Sequence, residues 1–205
     1  IYNLSTAQPD TNFAVAPSET YTTKGSKSAM LACYDDFNPL IKEMLDLVPE
    51  GDVCEWKLRV HEPLPTWVEG SVAVVGDACH PTLPHLAQGA AQAIEDSAVI
   101  AEIVAAMPDG KPETINMALK VYEDVRKERA EVLVEMAAQS GRTLHLGEGK
   151  AKEERDRLFE ELKKVGKQGA KVPDKWADAE VQKMIYGFDC MEIAKEMAAK
   201  AFAPQ

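Results

Sequence analysis

The sequence predicts an α/β fold of α+β character, in which a short strand feeds a helix and a long helical region follows. The first observation behind this is the apolar run Val72-Ala73-Val74-Val75. It enters Gly76-Asp77, crosses a loop containing Pro81 and Pro84, and reaches a helix that starts at Gly89 and continues to about residue 104. Four apolar residues without alternation read as a strand buried on both faces. The second observation is periodicity: Ile115, Ala118, Tyr122, Val125, Arg129, Leu133 and Met136 recur at helical spacing and predict an amphipathic helix over 113–140 that needs a partner surface. The third is the mixture of short apolar runs and one helical segment within residues 1–66.

Taken in order, residues 1–66 carry predicted strands over 1–6, 13–16, 28–32 and 56–60 and a helix over 39–47. Pro63 and Pro65 mark a crossover into residues 67–107, one unit of strand, loop and helix. Residues 108–205 are predicted helical: 113–140, a strongly charged helix over 150–164 after a break at Gly147 and Gly149, and helices over 174–185 and 190–202 after a break between Gly166 and Pro173. The charged helix reads as a solvated face. No internal repeat or low-complexity tract interrupts this order.

Composition narrows the class of function. With 205 residues, 45% hydrophobic and 28% charged, the chain is long enough to bury a sizeable core or to contribute to a larger one. A formal net charge of -11 argues against a nucleic-acid partner and against an anionic membrane surface, both of which require basic patches. Apolar stretches fall well short of a bilayer span. Cys33, Cys54, Cys79 and Cys190 show no CxxC spacing, which suits reduced thiols and a cytoplasmic location.

The chemistry concentrates between residues 76 and 91. Gly76 allows close backbone approach, Asp77 sets a carboxylate acceptor where the strand ends, and Gly89 opens a helix whose free N–H groups and positive dipole end face an electron-rich group. Read alone, Asp77 caps a loop as readily as it binds a ligand. Cys79, His80 and His85 lack an acidic or second thiolate partner at a workable spacing, so no metal site is expected and His80 is expected to make a structural hydrogen bond. Pro81 and Pro84 stiffen the loop. Arg126 and Arg129, near Glu123 and Glu128, read as an ion-paired helix surface rather than a phosphate site.

Gly76, Asp77, Ala78, His80, Pro84, Gln88, Gly89, Ala93, Glu95 and Asp96 together resemble the second flavin-binding motif of the FAD-dependent aromatic-ring monooxygenases, the salicylate-hydroxylase-like group A flavoprotein hydroxylases. His61-Glu62-Pro63-Leu64, Trp67 with Gly70, and Tyr122-Glu123 with Arg126 and Arg129 look like the family's flanks of that motif. Met184-Ile185-Tyr186-Gly187-Phe188-Asp189 is similar to its C-terminal segment. The family's GxGxxG turn, which binds the ADP half of FAD, occurs nowhere in this chain. The expectation is therefore a C-terminal piece, from proteolysis or truncation, of a protein about twice as long.

The resemblance implies that residues 1–66 belong to a substrate-binding β-sheet domain, 67–107 to the flavin domain and 108–205 to a helical C-terminal region. It implies FAD held by Gly76, Asp77, His80, Pro84, Gln88, Gly89, Ala90 and Ala91, with Asp77 on the ribityl chain, His85 near the flavin edge, and Pro81 and Pro84 as the wall beside the oxygen-reacting face. NADH or NADPH would reduce the flavin, O2 would add to form a flavin hydroperoxide, and a phenolic or other aromatic small molecule would be hydroxylated. The expected partners are that substrate, O2 and the N-terminal FAD-binding half, and a homodimer stays open. Epoxidases and dearomatising hydroxylases share the fold, and a non-catalytic piece that only complements an N-terminal half is the reading from another class.

Overall fold

Residues 6–7, 22–166 and 172–203 of the computed structural model are described, and the chain divides into two units, Ile1–Leu58 and Arg59–Gln205. The strands expected over 1–6 and 13–16 lie, apart from Thr6, outside the described residues.

In the first unit, strand β1 (Thr22–Lys24) pairs antiparallel with β2 (Cys54–Trp56), with Thr22 opposite Trp56 and Lys24 opposite Cys54. Residues 28–32, expected as a strand, instead lie in helix α1 (Lys27–Cys33). The physical reason is local: Ala29, Met30, Leu31 and Ala32 are good helix formers, and the Ser26 hydroxyl accepts from the Ala29 N–H at 3.3 Å as an N-cap. Helix α2 (Pro39–Asp46) matches the expected 39–47 closely; the Asn38 side chain caps it and Pro39 occupies its first turn, where a missing N–H costs nothing. The strand expected over 56–60 shrinks to β2, which ends at Trp56.

The second unit begins with the antiparallel pair β3 (Val68–Glu69) and β4 (Val72–Ala73). The expected four-residue strand buried on both faces is thus a two-residue strand, and Val72 and Val75 are 68% and 46% exposed. An unbroken apolar run predicts burial only where a neighbour covers each face, and no described element covers these two side chains. Single turns of 3-10 helix follow at Gly76–Ala78 and Pro84–Leu86. Then come α3 (Gly89–Ala105), α4 (Pro112–Leu144), α5 (Lys150–Val165), α6 (Ala179–Tyr186) and α7 (Cys190–Ala201). Helix α4 extends the expected 113–140 at both ends, and α6 starts later than the expected 174 because Asp178 caps it, accepting from the Glu180 and Val181 N–H groups.

Helices α3, α4 and α7 pack on one another and form the core of this unit. Val99 and Ile103 of α3 meet Ala118 and Tyr122 of α4 and Ala194 and Ala198 of α7, all buried. Small residues on α7 let it lie close against the other two. Trp67 joins this core at the foot of the β3–β4 pair, its ring 5.7 Å from that of Tyr122, and the Tyr122 hydroxyl donates to the Val74 carbonyl at 3.1 Å. The backbone N–H of Trp67 donates to Glu123 of α4. The strand pair is therefore fastened to α4 by both packing and hydrogen bonds. No helix among the described residues is long and apolar enough to cross a membrane, and the four cysteines are unpaired thiols.

Because Ala198 is wholly buried and its neighbour Ala199 is exposed, the pair separates packing from helix propensity. Ala198→Leu is expected to destabilise the protein by about 1–3 kcal/mol through overpacking, and Ala199→Leu to change it by less than about 0.5 kcal/mol. Urea unfolding midpoints measure both; equal effects would show that α7 does not pack as described.

Candidate functional site

The stretch from Gly76 to Ala91 runs through a turn, a loop and a helix start. Gly76 is buried with φ +60°, a left-handed backbone that other residues rarely adopt, and a Cβ there would sit 3.4 Å from the Ala93 Cβ. The conformation, rather than lack of space, selects glycine. The turn packs on α3, and the next residue, Asp77, is exposed, its carboxylate free of hydrogen bonds among the described residues.

What holds the turn is Asp96, about two helix turns into α3 and completely buried. Its Oδ2 accepts from the Gly76 N–H at 2.9 Å and lies 2.7 Å from His80 Nε2, while its Oδ1 accepts from Arg126 Nε at 2.9 Å. Arg126, also fully buried, donates further to Gln92 Oε1 at 2.7 Å, to the Gln92 carbonyl and to Glu95. Burial alone would raise the Asp96 carboxyl, but the hydrogen bonds from His80, Arg126 and Gly76 outweigh it and hold the group below its ordinary value. Burial likewise opposes the His80 imidazolium, yet the hydrogen bond and charge of Asp96, helped by Cys79, push its pKa up to about 9.

The loop beyond carries Pro81, half-buried, and Pro84, exposed at the start of its 3-10 turn. Leu86 is buried, and Ala87, at φ 48°, is the non-glycine residue in the left-handed region among those described. Gln88 is buried at the N-cap position of α3, but its side chain makes no cap, so the first N–H groups of the helix, on Gly89, Ala90 and Ala91, have no side-chain acceptor. A helix start of this kind presents donors and a positive dipole end to an anionic or electron-rich group.

The expected site residues thus fall on one stretch, but they do not all face outward. Asp77, Pro84 and Ala90 are exposed, whereas His80 turns into the interior and makes the structural hydrogen bond its sequence position suggested. His85 lies against α4, its ring 5.0 Å from that of His145. The two arginines are ion-paired as expected, but with other partners. Arg126 is buried against Asp96 and Glu95, and Arg129 binds Glu95 through both Nε and Nη2 at 2.9 Å. Arg129 also donates to the Met184 and Ile185 carbonyls at 2.9 Å, capping α6, and lies 4.1 Å over the Phe188 ring. Sequence reasoning missed Glu95 and Asp96 as their partners because those acids stand about thirty positions upstream, on another helix.

The acidic partner absent from the neighbourhood of Cys79 and His80 in the sequence is supplied in space by Asp96, and the ligand atoms of these three residues lie within 4.8 Å of one another. A cation there would have to break the bonds that Asp96 Oδ2 already makes to the Gly76 N–H and to His80 Nε2, and would sit beside the Arg126 guanidinium on Oδ1. For a flavin dinucleotide the fit is better: a glycine turn no Cβ can enter without strain, an exposed carboxylate without a partner beside it, and an uncapped helix start at the far side of the loop. Gly76 and Asp77, with Gly89, Ala90 and Ala91, would hold it.

The ionic cluster makes stability depend on pH in a definite sense. His80 has its pKa raised from 6.5 to about 9 on folding, so its contribution is complete below pH 6.5 and lost as pH rises through 9. Asp96, lowered from 3.8, contributes fully above that value and loses its contribution as pH falls. Stability is expected to be highest between about pH 4 and 6.5 and to fall by on the order of 3 kcal/mol toward pH 9. His80→Gln should flatten that alkaline limb in urea unfolding followed across pH; an unaltered limb would assign it to another group.

Known proteins resemble this chain in sequence and fold. The family described as FAD binding domain matches residues 48–137. An FAD-dependent monooxygenase, atnJ, of Arthrinium sp is 34% identical over 156 residues, covering 76% of this chain and 36% of that protein. The 6-hydroxynicotinate 3-monooxygenase of Bordetella bronchiseptica is 40% identical over 105 residues, 51% of this chain and 26% of its own length. The chain thus spans about a third or less of these curated relatives. A solved salicylate hydroxylase substrate complex superposes with a TM-score of 0.64 and 25% identity, over 90% of this chain and 40% of that one. The mixed helix and sheet architecture and these likenesses agree: residues 48–137 match an FAD binding domain, and the chain is similar to part of the length of FAD-dependent monooxygenases.

Proposed function

We propose that this chain serves an FAD-dependent monooxygenase that uses NADH or NADPH and O2 to hydroxylate a phenolic or other aromatic small molecule. The observation that carries this reading is the unpartnered Asp77 carboxylate on the Gly76 turn, set on the same stretch as the uncapped start of α3. The names of two relatives support the substrate class, since 6-hydroxynicotinate and salicylate are both hydroxylated or hydroxyl-bearing aromatic acids. The remaining length found in the relatives would supply the ADP-binding turn and most of the substrate sheet, and a cytoplasmic setting fits the same reading.

Bound FAD, once reduced by the nicotinamide, supplies the activation of O2 from which one oxygen atom reaches the ring. This chain's own residues bind, orient and insulate. Asp77 would accept hydrogen bonds from ribityl hydroxyls, and Gly76 would let the backbone approach. The N–H groups of Gly89, Ala90 and Ala91 would stabilise negative charge on the reduced ring system, with the dipole oriented in advance of the reaction. Pro81 and Pro84 form a wall that limits water, and Gln88 stands buried where the loop enters α3. His80 acts one step away, keeping the turn in place through Asp96.

Two measurements test this. Asp77→Ala should weaken FAD binding by about one to two powers of ten, because a charged acceptor is worth roughly 1.5–3 kcal/mol. Flavin titration followed by fluorescence reads it, and an unchanged affinity would reduce Asp77 to a loop residue. In the full-length protein, an aromatic acid or phenol should accelerate nicotinamide oxidation with O2 consumption and a hydroxylated product; failure of every aromatic compound to do so would remove the hydroxylase reading.

A further inference from the structure

The Pro84–Leu86 turn rests on a platform made by other residues than those of the Asp96 cluster. The His85 carbonyl accepts from Trp176 Nε1 at 3.1 Å and from Ser140 Oγ at 3.4 Å. Beneath its ring lies Gly141 of α4, where an added Cβ would stand 2.4 Å from His85 Cδ2 and 2.8 Å from Nε2. The ring then meets His145, whose own Nδ1 is bonded to the Gly141 carbonyl at 2.9 Å. Burial, and then the neighbouring imidazole, lower the His85 pKa from its ordinary value. Glycine within a helix costs about 0.5–1 kcal/mol relative to alanine, and here the missing methyl is the space the imidazole fills. Directly after the turn, Ala87 holds a left-handed backbone, which persists only where its surroundings over-determine it.

We propose that Gly141, with Ser140 and Trp176, is a positioning residue for the flavin loop. By seating His85 on α4 it sets where Pro84 stands relative to the start of α3, and so how closely the loop covers the reacting side of the cofactor. This rests on the FAD reading above. A bulkier residue at 141 would lift His85 and carry Pro84 with it, opening the wall to water, so that more reducing equivalents would leave as hydrogen peroxide: O2 takes two electrons and two protons without transferring oxygen to the ring.

The test compares Gly141→Ala, Trp176→Phe, His85→Ala and the Gly141→Ala/His85→Ala double variant in the full-length protein. Amide hydrogen exchange without flavin is read first, then the visible absorption of bound FAD and the product formed per nicotinamide oxidised. Gly141→Ala should raise exchange at residues 84–89 by about tenfold while leaving 99–103 unchanged. It should also shift the flavin band and lower the product ratio by roughly twofold or more. Trp176→Phe, which removes one donor without adding bulk, should act in the same direction more weakly. Against His85→Ala the added methyl should do nothing further, since the ring it would strike is gone.

Equal effects of Gly141→Ala in both backgrounds, or unchanged exchange at 84–89, would overturn the proposal. A loosened loop with an unchanged flavin band and product ratio would also overturn it, leaving the platform a purely structural contact. A wild-type protein that takes up no FAD would instead overturn the reading of the site itself, a result visible before any variant is made.

Discussion

The second unit turns on a single buried carboxylate. Asp96 joins three segments of chain: the Gly76 turn through a backbone N–H, the loop through the His80 ring, and α4 through the Arg126 guanidinium. Removing such a group from water is costly, and the cost is met only because both oxygens are bonded with good geometry to groups that are themselves buried. A network of this kind permits few alternatives: sliding the turn by one residue would leave a charge in the interior without a partner. The outward-facing Asp77 is where it is because an inward-facing acid nineteen positions later holds the residue before it.

Helix α4 distributes the same discipline along its length. Near its start Tyr122 and Glu123 take hold of the β3–β4 pair; midway Arg126 and Arg129 take hold of α3 and of the end of α6; near its far end Ser140 and Gly141 receive the loop. A helix of 33 residues is about 50 Å long, rigid enough that these three grips share one frame. Glu95 and Asp96, adjacent on α3, divide their work between two arginines three apart, as helical spacing allows.

How much of this was legible in the sequence depended on how local the cause was. The succession of strand, glycine turn, proline loop and helix, and the long helix after it, follow from short-range patterns and stand in the structure within a few residues. Residues 28–32 resemble a strand by apolar content alone, and the Ser26 cap makes them a helix. The full burial of Arg126 was not legible, since a charged residue on an amphipathic helix is ordinarily at the surface and only the fold brings Asp96 beneath it. The same holds for Cys79, His80 and Asp96, whose meeting needs tertiary structure. The Tyr186-Gly187-Phe188-Asp189 segment gains physical content only in three dimensions: Phe188 lies under Arg129 and Asp189 caps α7.

The close packing of α7 on α3 and α4 bears on the order of events at the ribosome. Val99 and Ala198 are neighbours in the core yet stand about a hundred positions apart, so a nascent chain can wind α3 and α4 long before the helix that seals them exists. At ordinary elongation rates of about 5–20 residues per second, their shared apolar face stays uncovered for several seconds. Association of that face with other chains is then in competition with completion of synthesis, and the alanines of α7, small enough to slide into place late, suit a helix that must dock on a surface already assembled.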